Sequence, residues 1–480
     1  MPEELLLDTN LTSRRRIFSL QLAEHKYLLL TVDGLLVLAA LLVGLWFGAQ
    51  RSGWTFDLPL VVSFLPAFAV VLGLYYILAA ANDAYRLRVA SDPTASFVAL
   101  LKTILQIFAL YMLVYALLPP FSVPRHFIGV FAVVAPGLLL LWRRLYSAAF
   151  TIPTFQRRAI IVGAGWAGQT ILKTVREYAP AHLEVIGFVD DDPARQEQTI
   201  HGAPVLGPTD RLVSLAQRLR ATDVVLAINR EVPGDLLARL MTCYELGLRV
   251  STMPDLYEHL TDRVPVEHVG SNWFVVLPLA HSGQNLSYRL VKRGMDILIA
   301  LLGLAVFAPF LPLLALLIKL DSPGPVFYRQ KRVGRGGRLF NLIKLRSMYT
   351  DAEADGQARW AERYDTRVTR VGRFLRRTRL DEFPQLVNVL RGEMSLVGPR
   401  PERPEFVAEL QTQIPFYRTR LTVKPGLTGW AQVNYDYGRS VSDALEKLRY
   451  DLYYIKHQSI QLDLVIMLKT VSIILLLKGT

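Results

Sequence analysis

Along the first 150 residues apolar positions run together instead of alternating with polar ones. Four stretches, residues 27–49, 58–81, 95–118 and 127–150, each hold about twenty residues or more. A helix of that length, at about 1.5 Å per residue, crosses a hydrocarbon core of about 30 Å. The pattern therefore predicts a four-helix transmembrane domain over residues 27–150, behind an N-terminal tail of residues 1–26. Four long helices of a soluble bundle are the alternative, but such helices carry a polar stripe, and these have almost none. The first stretch is too long for a cleavable signal and has no small-residue cleavage site after it.

Basic residues alternate across the spans. Arg14, Arg15, Arg16 and Lys26 precede the first, Arg86 and Arg88 sit between the second and third, and Arg143, Arg144, Arg157 and Arg158 close the fourth. Only Arg51 and Arg125 lie in the two other loops. This alternation puts the N-terminus, the middle loop and everything after the fourth span in the cytoplasm. A fifth apolar stretch, residues 297–318, has Pro309 and Pro312 near its centre and basic residues at both ends. Pro309 interrupts the helical hydrogen bonds, leaving halves of about eleven residues, each about 17 Å long and too short to span alone. The prediction is a re-entrant helix over residues 295–320 that breaks at Pro309 and returns to the cytoplasmic face. A true fifth span, placing the C-terminal part outside, is the competing topology. Residues 459–478, apolar with Lys469 and Lys478, are expected to lie along the same surface as an interfacial helix.

After the fourth span the period changes. Residues 158–162 read as a strand, and Gly163-Ala164-Gly165-Trp166-Ala167-Gly168 follows as a G-x-G-x-x-G turn. A helix then runs to about Tyr178, and residues 184–189 form a second strand ending at Asp190. Glycines at these positions let a diphosphate approach a helix N-terminus, and Asp190, 22 residues past Gly168, is spaced to bind a ribose. Residues 156–260 are thus expected to be a Rossmann-like domain. Two uses stay open: nucleotide binding by Gly163, Gly165, Gly168 and Asp190, or glycines spent on packing. Residues 264–279 are expected to form a β arm within a linker, residues 261–284.

Charge then locates the chemistry. The chain has 54 Lys+Arg and 41 Asp+Glu, a net charge of +13, in 480 residues. From Asn285 onward there are 31 basic and 18 acidic residues, so the last 196 residues carry the entire excess. An anionic partner belongs there. The single cysteine, Cys243, excludes a disulfide scaffold and a cysteine-based zinc cluster. Nine arginines, from Arg367 to Arg403, surround Asp381-Glu382-Phe383-Pro384. Pro384 suits the first turn of a helix ending near Gly392, which puts both acids at its N-terminus. The arginines are expected to keep Asp381 ionised at neutral pH. An ionised aspartate among phosphate-binding arginines fits a nucleophile or a metal ligand for phosphoryl transfer, with Glu382 holding a cation such as Mg²⁺. A helix cap with surface salt bridges is the plain alternative.

Four motifs resemble those of the bacterial polyprenyl-phosphate hexose-1-phosphate transferases, the monotopic phosphoglycosyl transferases. They are Phe340-x-x-x-Lys344-Leu-Arg346-Ser-Met348, Thr378-Arg-Leu-Asp381-Glu382-x-Pro-Gln385-Leu-x-Asn388, Gly392-x-Met394-Ser-Leu-Val-Gly-Pro399-Arg400-Pro401 and Lys424-Pro-Gly-Leu-Thr-Gly-Trp-Ala-Gln432. The resemblance implies an α/β catalytic domain over residues 285–480. It also implies transfer of hexose-1-phosphate from a UDP-hexose to undecaprenyl phosphate with release of UMP. Under it Asp381 is the covalent nucleophile and Glu382 the metal-side carboxylate, both lining the Mg²⁺ site. Lys344, Arg346, Arg376, Arg400 and Gln432 are expected to bind substrate. In the family the membrane hairpin usually breaks at Ser-Pro; here the pair is Ala308-Pro309, which removes a hydroxyl from the bend.

The expected partners are the UDP-hexose, undecaprenyl phosphate, the phospholipid bilayer and a second copy in a homodimer, with no nucleic acid. The expected location is the bacterial inner membrane, soluble domains facing the cytoplasm, at the first membrane step of exopolysaccharide, capsule or O-antigen synthesis. Glucose and galactose are the expected hexoses, and nothing in the sequence separates them. Other functions remain as alternatives: a tethered nucleotide-sugar dehydratase or epimerase, for which Tyr288 and Lys292 supply a Tyr-x-x-x-Lys pair, and a non-catalytic nucleotide or lipid sensor.

Overall fold

The computed structural model describes residues 22–117, 125–150, 156–228, 231–266, 286–350, 352, 365–435 and 440–475, in two compact units, Met1–Thr261 and Asp262–Thr480. The first unit opens with the four apolar helices α1 (Leu22–Ser52), α2 (Leu58–Ala81), α3 (Pro93–Leu117) and α4 (Arg125–Phe150). Asp57 starts α2 by accepting a hydrogen bond from the Leu60 backbone N–H at 3.0 Å. Helix α4 packs against α1 and α3 around Leu41, Leu45, Phe131 and Leu139, all buried.

Inside this apolar bundle lies an ion pair. Arg143 Nη2 donates to Asp33 Oδ2 at 2.6 Å, and the Tyr75 hydroxyl donates to the same oxygen at 2.9 Å. All three side chains are fully buried. Removing one partner strands a charge, whereas removing both does not. Arg143→Met is expected to destabilise the chain by about 3 kcal/mol. Arg143→Met combined with Asp33→Leu should return the thermal unfolding midpoint in detergent to near the wild-type value.

The second half of this unit is a parallel four-stranded sheet, ordered β2-β1-β3-β4, from β1 (Arg157–Val162), β2 (Leu183–Val189), β3 (Asp223–Leu226) and β4 (Arg249–Thr252). The expected elements form within a residue or two. Helix α5 (Trp166–Tyr178) leaves the glycine turn, and α6 (Gly234–Glu245) precedes β4. Gly168 permits the close helix–strand approach, since a Cβ there would lie 2.0 Å from the Gly163 carbonyl oxygen. Tyr146 joins this layer to the helices: its hydroxyl is 3.0 Å from His25 Nδ1 and 3.3 Å from His182 Nε2.

The second unit takes in the start of the expected β arm. Val264 and Val266 form no strand; they are buried with Val333, Leu410 and Leu452 of this unit's core. Val264 N–H bonds the Arg449 carbonyl and Trp430 Nε1–H bonds the Asp262 carbonyl, so the arm's first residues are consumed by tertiary contacts. Residues 267–279 of that prediction lie outside the described residues.

Two apolar helices follow, α7 (Leu286–Phe307) and α8 (Leu311–Asp321), joined by a 3₁₀ turn, Ala308–Phe310, at Pro309. The Leu311 N–H bonds the Ala308 carbonyl, so the tighter turn meets part of the demand that a Ser-Pro hydroxyl would serve. Phe307 of α7 and Leu314 and Ile318 of α8 share one core with Leu345 and Leu375, so both arms lie on the same layer. Leu298, Leu302, Val306, Phe310, Leu313 and Leu320 are exposed.

The remaining elements include an antiparallel hairpin, β5 (Phe327–Val333) and β6 (Leu339–Leu345), helices α9 (Arg370–Arg377) and α10 (Gln385–Arg391), and a short parallel pair, β7 (Ser395–Val397) and β8 (Gly426–Thr428). Helices α11 (Val441–Lys456) and α12 (Ile460–Leu475) close the chain. Helix α12 corrects one expectation. Its Lys469 is buried, with Nζ 3.2 Å from Asn434 Oδ1 and 5.2 Å from the centre of the Trp430 ring. The cation serves internal packing and does not project outward.

Candidate active site

Helix α9 ends at Arg377, and the chain turns through Arg379 in the left-handed region, with φ at +59°. A 3₁₀ turn, Leu380–Glu382, follows directly, and α10 begins after Pro384. This double turn sets Asp381 and Glu382 into the protein, 6% and 8% exposed. Strand β6 brings Lys344 alongside. Asn388 of α10 fixes the strand by accepting from the Ile343 N–H at 3.1 Å and donating to the Asn341 carbonyl at 2.8 Å. Arg400 arrives from the loop after β7. That loop depends on a close approach of two glycine backbones, since a Cβ on Gly426 would lie 2.1 Å from the Gly398 nitrogen.

The two carboxylates have opposite environments. Glu382 Oε1 receives Arg400 Nη2 at 2.7 Å, Lys344 Nζ at 3.4 Å and Arg379 Nη1 at 3.7 Å. Burial opposes its charge, but Arg400, Lys344 and Arg379 hold it well below the ordinary glutamate value. Asp381 makes no hydrogen bond or ion pair within 4 Å among the described residues. Burial, and then the adjacent Glu382 charge, push Asp381 up to about 6, against the pull of Lys344, Arg376 and Arg379. Lys344, Arg376 and Arg379 thus keep Asp381 ionised at neutral pH against its burial, while the acid held well below its ordinary range is Glu382. Asp381 still ionises below neutrality, as a carboxylate with no cation locked onto it. The helix-cap alternative finds no support, because neither the 3₁₀ turn nor α10 has a side-chain capping bond.

The other expected site residues divide. Arg376 Nε bonds Ser347 Oγ at 3.1 Å, and its charge acts on Asp381. Arg346 lies elsewhere in function: its guanidinium donates to the carbonyls of Pro323 at 2.7 Å, Ser322 at 2.6 Å and Ile318 at 3.3 Å, closing the end of α8. It holds the end of α8, its Nη1 and Nη2 donors engaged by these carbonyls. Gln432 Nε2 bonds back to the Leu427 carbonyl at 3.3 Å within its own loop. Arg379 counted only as one of nine arginines around the acids and Asn388 only as a motif position; the signal for Arg379 was its place three residues before Glu382.

In the glycine turn, Asp190 is spent locally. It accepts from Ala164 N–H at 2.7 Å, Asp192 N–H at 2.9 Å and Arg195 Nη1 at 3.1 Å. A Cβ on Gly165 would lie 3.3 Å from Arg195 Nη1, so the guanidinium covers that side of the turn. Gly163, Gly165, Gly168 and Asp190 thus meet as expected, with the acid and the turn engaged by their own chain. Tyr288 and Lys292, the pair a dehydratase would need, both bond Asp463 and belong to the other unit.

Magnesium suits one or two carboxylates completed by phosphate oxygens and water. Asp381 and Glu382 Oε2, which makes no hydrogen bond among the described residues, fit that donor set. Among the described residues no group of three or more His, Cys, Asp or Glu side chains could hold a metal.

Comparison with known proteins places these features. Residues 287–476 match a family model described as bacterial sugar transferase, and residues 80–254 match one described as a CoA-binding domain. A UDP-N-acetylgalactosamine-undecaprenyl-phosphate N-acetylgalactosaminephosphotransferase of Aeromonas hydrophila is 43% identical over 53% of this chain and 59% of its own. An undecaprenyl-phosphate glucose phosphotransferase of Komagataeibacter xylinus is 37% identical over 66% of this chain and 58% of its own. The match therefore spans somewhat less than two thirds of either relative. A UDP-glucose:undecaprenyl-phosphate glucose-1-phosphate transferase of Klebsiella pneumoniae is 31% identical over 89% of this chain and 91% of its own.

Proposed function

The chain belongs to the bacterial sugar transferase family, and from that premise we propose that it moves a sugar-1-phosphate from a UDP-sugar to undecaprenyl phosphate by way of Asp381. The observation that carries this is the asymmetry of the acids: Glu382 is held by three cations, while buried Asp381 has none fixed to it. The Asp381 oxygen attacks the sugar-bearing phosphorus of the donor. A P–O bond to aspartate forms, the bond to the uridylyl phosphate breaks, and UMP leaves. A phosphate oxygen of undecaprenyl phosphate then attacks the same phosphorus, releasing the aspartate and giving the lipid diphosphate sugar. Lys344, Arg376, Arg379 and Arg400 surround the acids and offset the charge that builds on the phosphates. Mg²⁺, held by Asp381 and Glu382 Oε2 with the diphosphate, would add to that neutralisation.

The α7–α8 helix serves as the membrane hairpin. Its break at Pro309, the packing of both arms on one layer and its exposed leucines support a re-entrant course on the cytoplasmic side of the inner membrane. The relatives' names divide between glucose and N-acetylgalactosamine. The test therefore uses purified full-length protein with undecaprenyl phosphate, Mg²⁺ and UDP-glucose, UDP-galactose or UDP-N-acetylgalactosamine. UMP release that needs the lipid for multiple turnovers, with donor phosphate label found on a peptide containing Asp381, is expected. No UMP from any donor would overturn the proposal.

The pH dependence follows from the Asp381 environment. The attacking form is the carboxylate, so activity should rise with pH through an acid limb centred near pH 6. A limb centred near pH 4, the ordinary aspartate range, would show that burial and Glu382 do not govern this group.

A further inference from the structure

Helix α7 begins with a basic flank that sequence alone reads as a membrane-orienting signal. In the structure three of its charges turn inward. Lys292 Nζ meets the Val397 carbonyl at 3.1 Å, the Tyr454 hydroxyl at 3.2 Å and Asp463 Oδ2 at 2.9 Å, which uses all three of its N–H donors. One turn on, Asp296 Oδ1 accepts from Leu396 N–H at 2.9 Å and Ser395 Oγ at 3.0 Å. Between them, Arg293 donates to the Val389 and Leu390 carbonyls at 2.7 and 2.8 Å, at the last turn of α10.

These contacts reach both limbs of the site. Strand β7, held by Lys292 and Asp296, runs through Gly398 and Pro399 into Arg400, whose Nη2 lies 2.7 Å from Glu382. Helix α10, held by Arg293, begins three residues after Glu382. Farther along α7, Phe307 stacks on Phe383 with ring centres 5.1 Å apart, directly after the acid pair. Asp296 and Asp463 are 4% and 1% exposed. Burying such charges is expensive, and a set that persists specifies one arrangement of the groups it joins.

We propose that Lys292 and Asp296 are positioning residues: through β7 they set Arg400 against Glu382, so that the seating of the membrane helix determines whether Arg400 reaches the acid pair. This deepens the transferase proposal and rests on it for its kinetic readout. Neither residue needs to touch substrate.

The test is a double-mutant cycle on the full-length protein, measuring UMP release from UDP-sugar and undecaprenyl phosphate. Lys292→Met should lower kcat about 10- to 100-fold with less than a threefold change in KM for the donor. In an Arg400→Ala background the same substitution should cost less than threefold, since the group it acts through is gone. Lys292→Arg should restore part of the loss. Independent, multiplicative losses in the two backgrounds would overturn the proposal.

Hydrogen–deuterium exchange supplies the readout that needs no turnover. Lys292→Met and the milder Asp296→Asn should each speed exchange in peptides covering residues 395–402, with α9 and β6 unchanged. Unchanged exchange there overturns the positioning role. If wild-type protein releases no UMP with any donor, the transferase proposal fails, and exchange alone then decides the role of Lys292 and Asp296.

Discussion

Asp381→Asn is expected to reduce UMP release by about 10³-fold or more, because an amide cannot form the bond to phosphorus on which the two-step route depends. The same substitution should leave the fold intact or slightly firmer, and that combination is the informative part. Asp381 is buried, and its pKa is raised to about 6. A carboxyl whose folded-state value is raised binds its proton more tightly when folded. Its ionised form therefore costs stability as pH rises through the interval from about 4 to about 6. Asparagine removes that cost and breaks no hydrogen bond or ion pair of the aspartate, since none exists among the described residues. The thermal midpoint at pH 7.5 should stay level or rise by a few degrees. A large drop in stability together with loss of activity would point to a structural role instead.

Glu382→Gln should behave in the opposite way. Arg400, Lys344 and Arg379 all lie against one oxygen of this side chain, and a neutral amide leaves three cations facing each other. Breaking a buried pair on one side costs about 3 kcal/mol or more. Activity should fall about 10²-fold as the phosphate-facing cations lose their common anchor. The pH behaviour gives the sign. Glu382 has a depressed folded-state value, so its contribution is present above the ordinary glutamate range and lost as pH falls below it. The stability gap between wild type and variant should therefore be full at pH 7 and narrow below about pH 4. The acid limb of residual activity should move below 6, because burial still raises Asp381 but the added push of the Glu382 charge is gone while the cations remain. Thermal melts at pH 3 and 7, with the pH–rate profile, measure all three effects.

The two acids share one short turn and one set of neighbouring arginines in the sequence, yet these predictions treat them differently. That difference was not legible in the linear pattern. Arg400 is 18 residues from Glu382 and Lys344 is 38 away. Which carboxylate they reach is decided by the left-handed turn at Arg379 and by the approach of β6 and β7. Arg346 shows the same limit from the other side. It sits two residues from Lys344 in a basic motif, but the strand ends at Leu345, and beyond it the Arg346 side chain reaches the end of α8, where three carbonyls accept from it. Lys292 belonged to the basic flank before the fifth apolar stretch and Lys469 to the expected interfacial helix, and each has its partners inside the protein.

By itself the sequence determined the features that depend on runs and periods. These are four long apolar helices before a strand–glycine–helix unit, a proline-broken apolar pair, the Asp-Glu turn ahead of a proline-led helix and the concentration of positive charge after residue 285. Such features follow from backbone hydrogen bonding and from burial of contiguous apolar surface, which neighbouring residues dictate. The tertiary structure alone decided which charge meets which. A buried ion pair is worth forming only when distant segments bring every donor and acceptor together, and that condition is written in no single stretch of the chain.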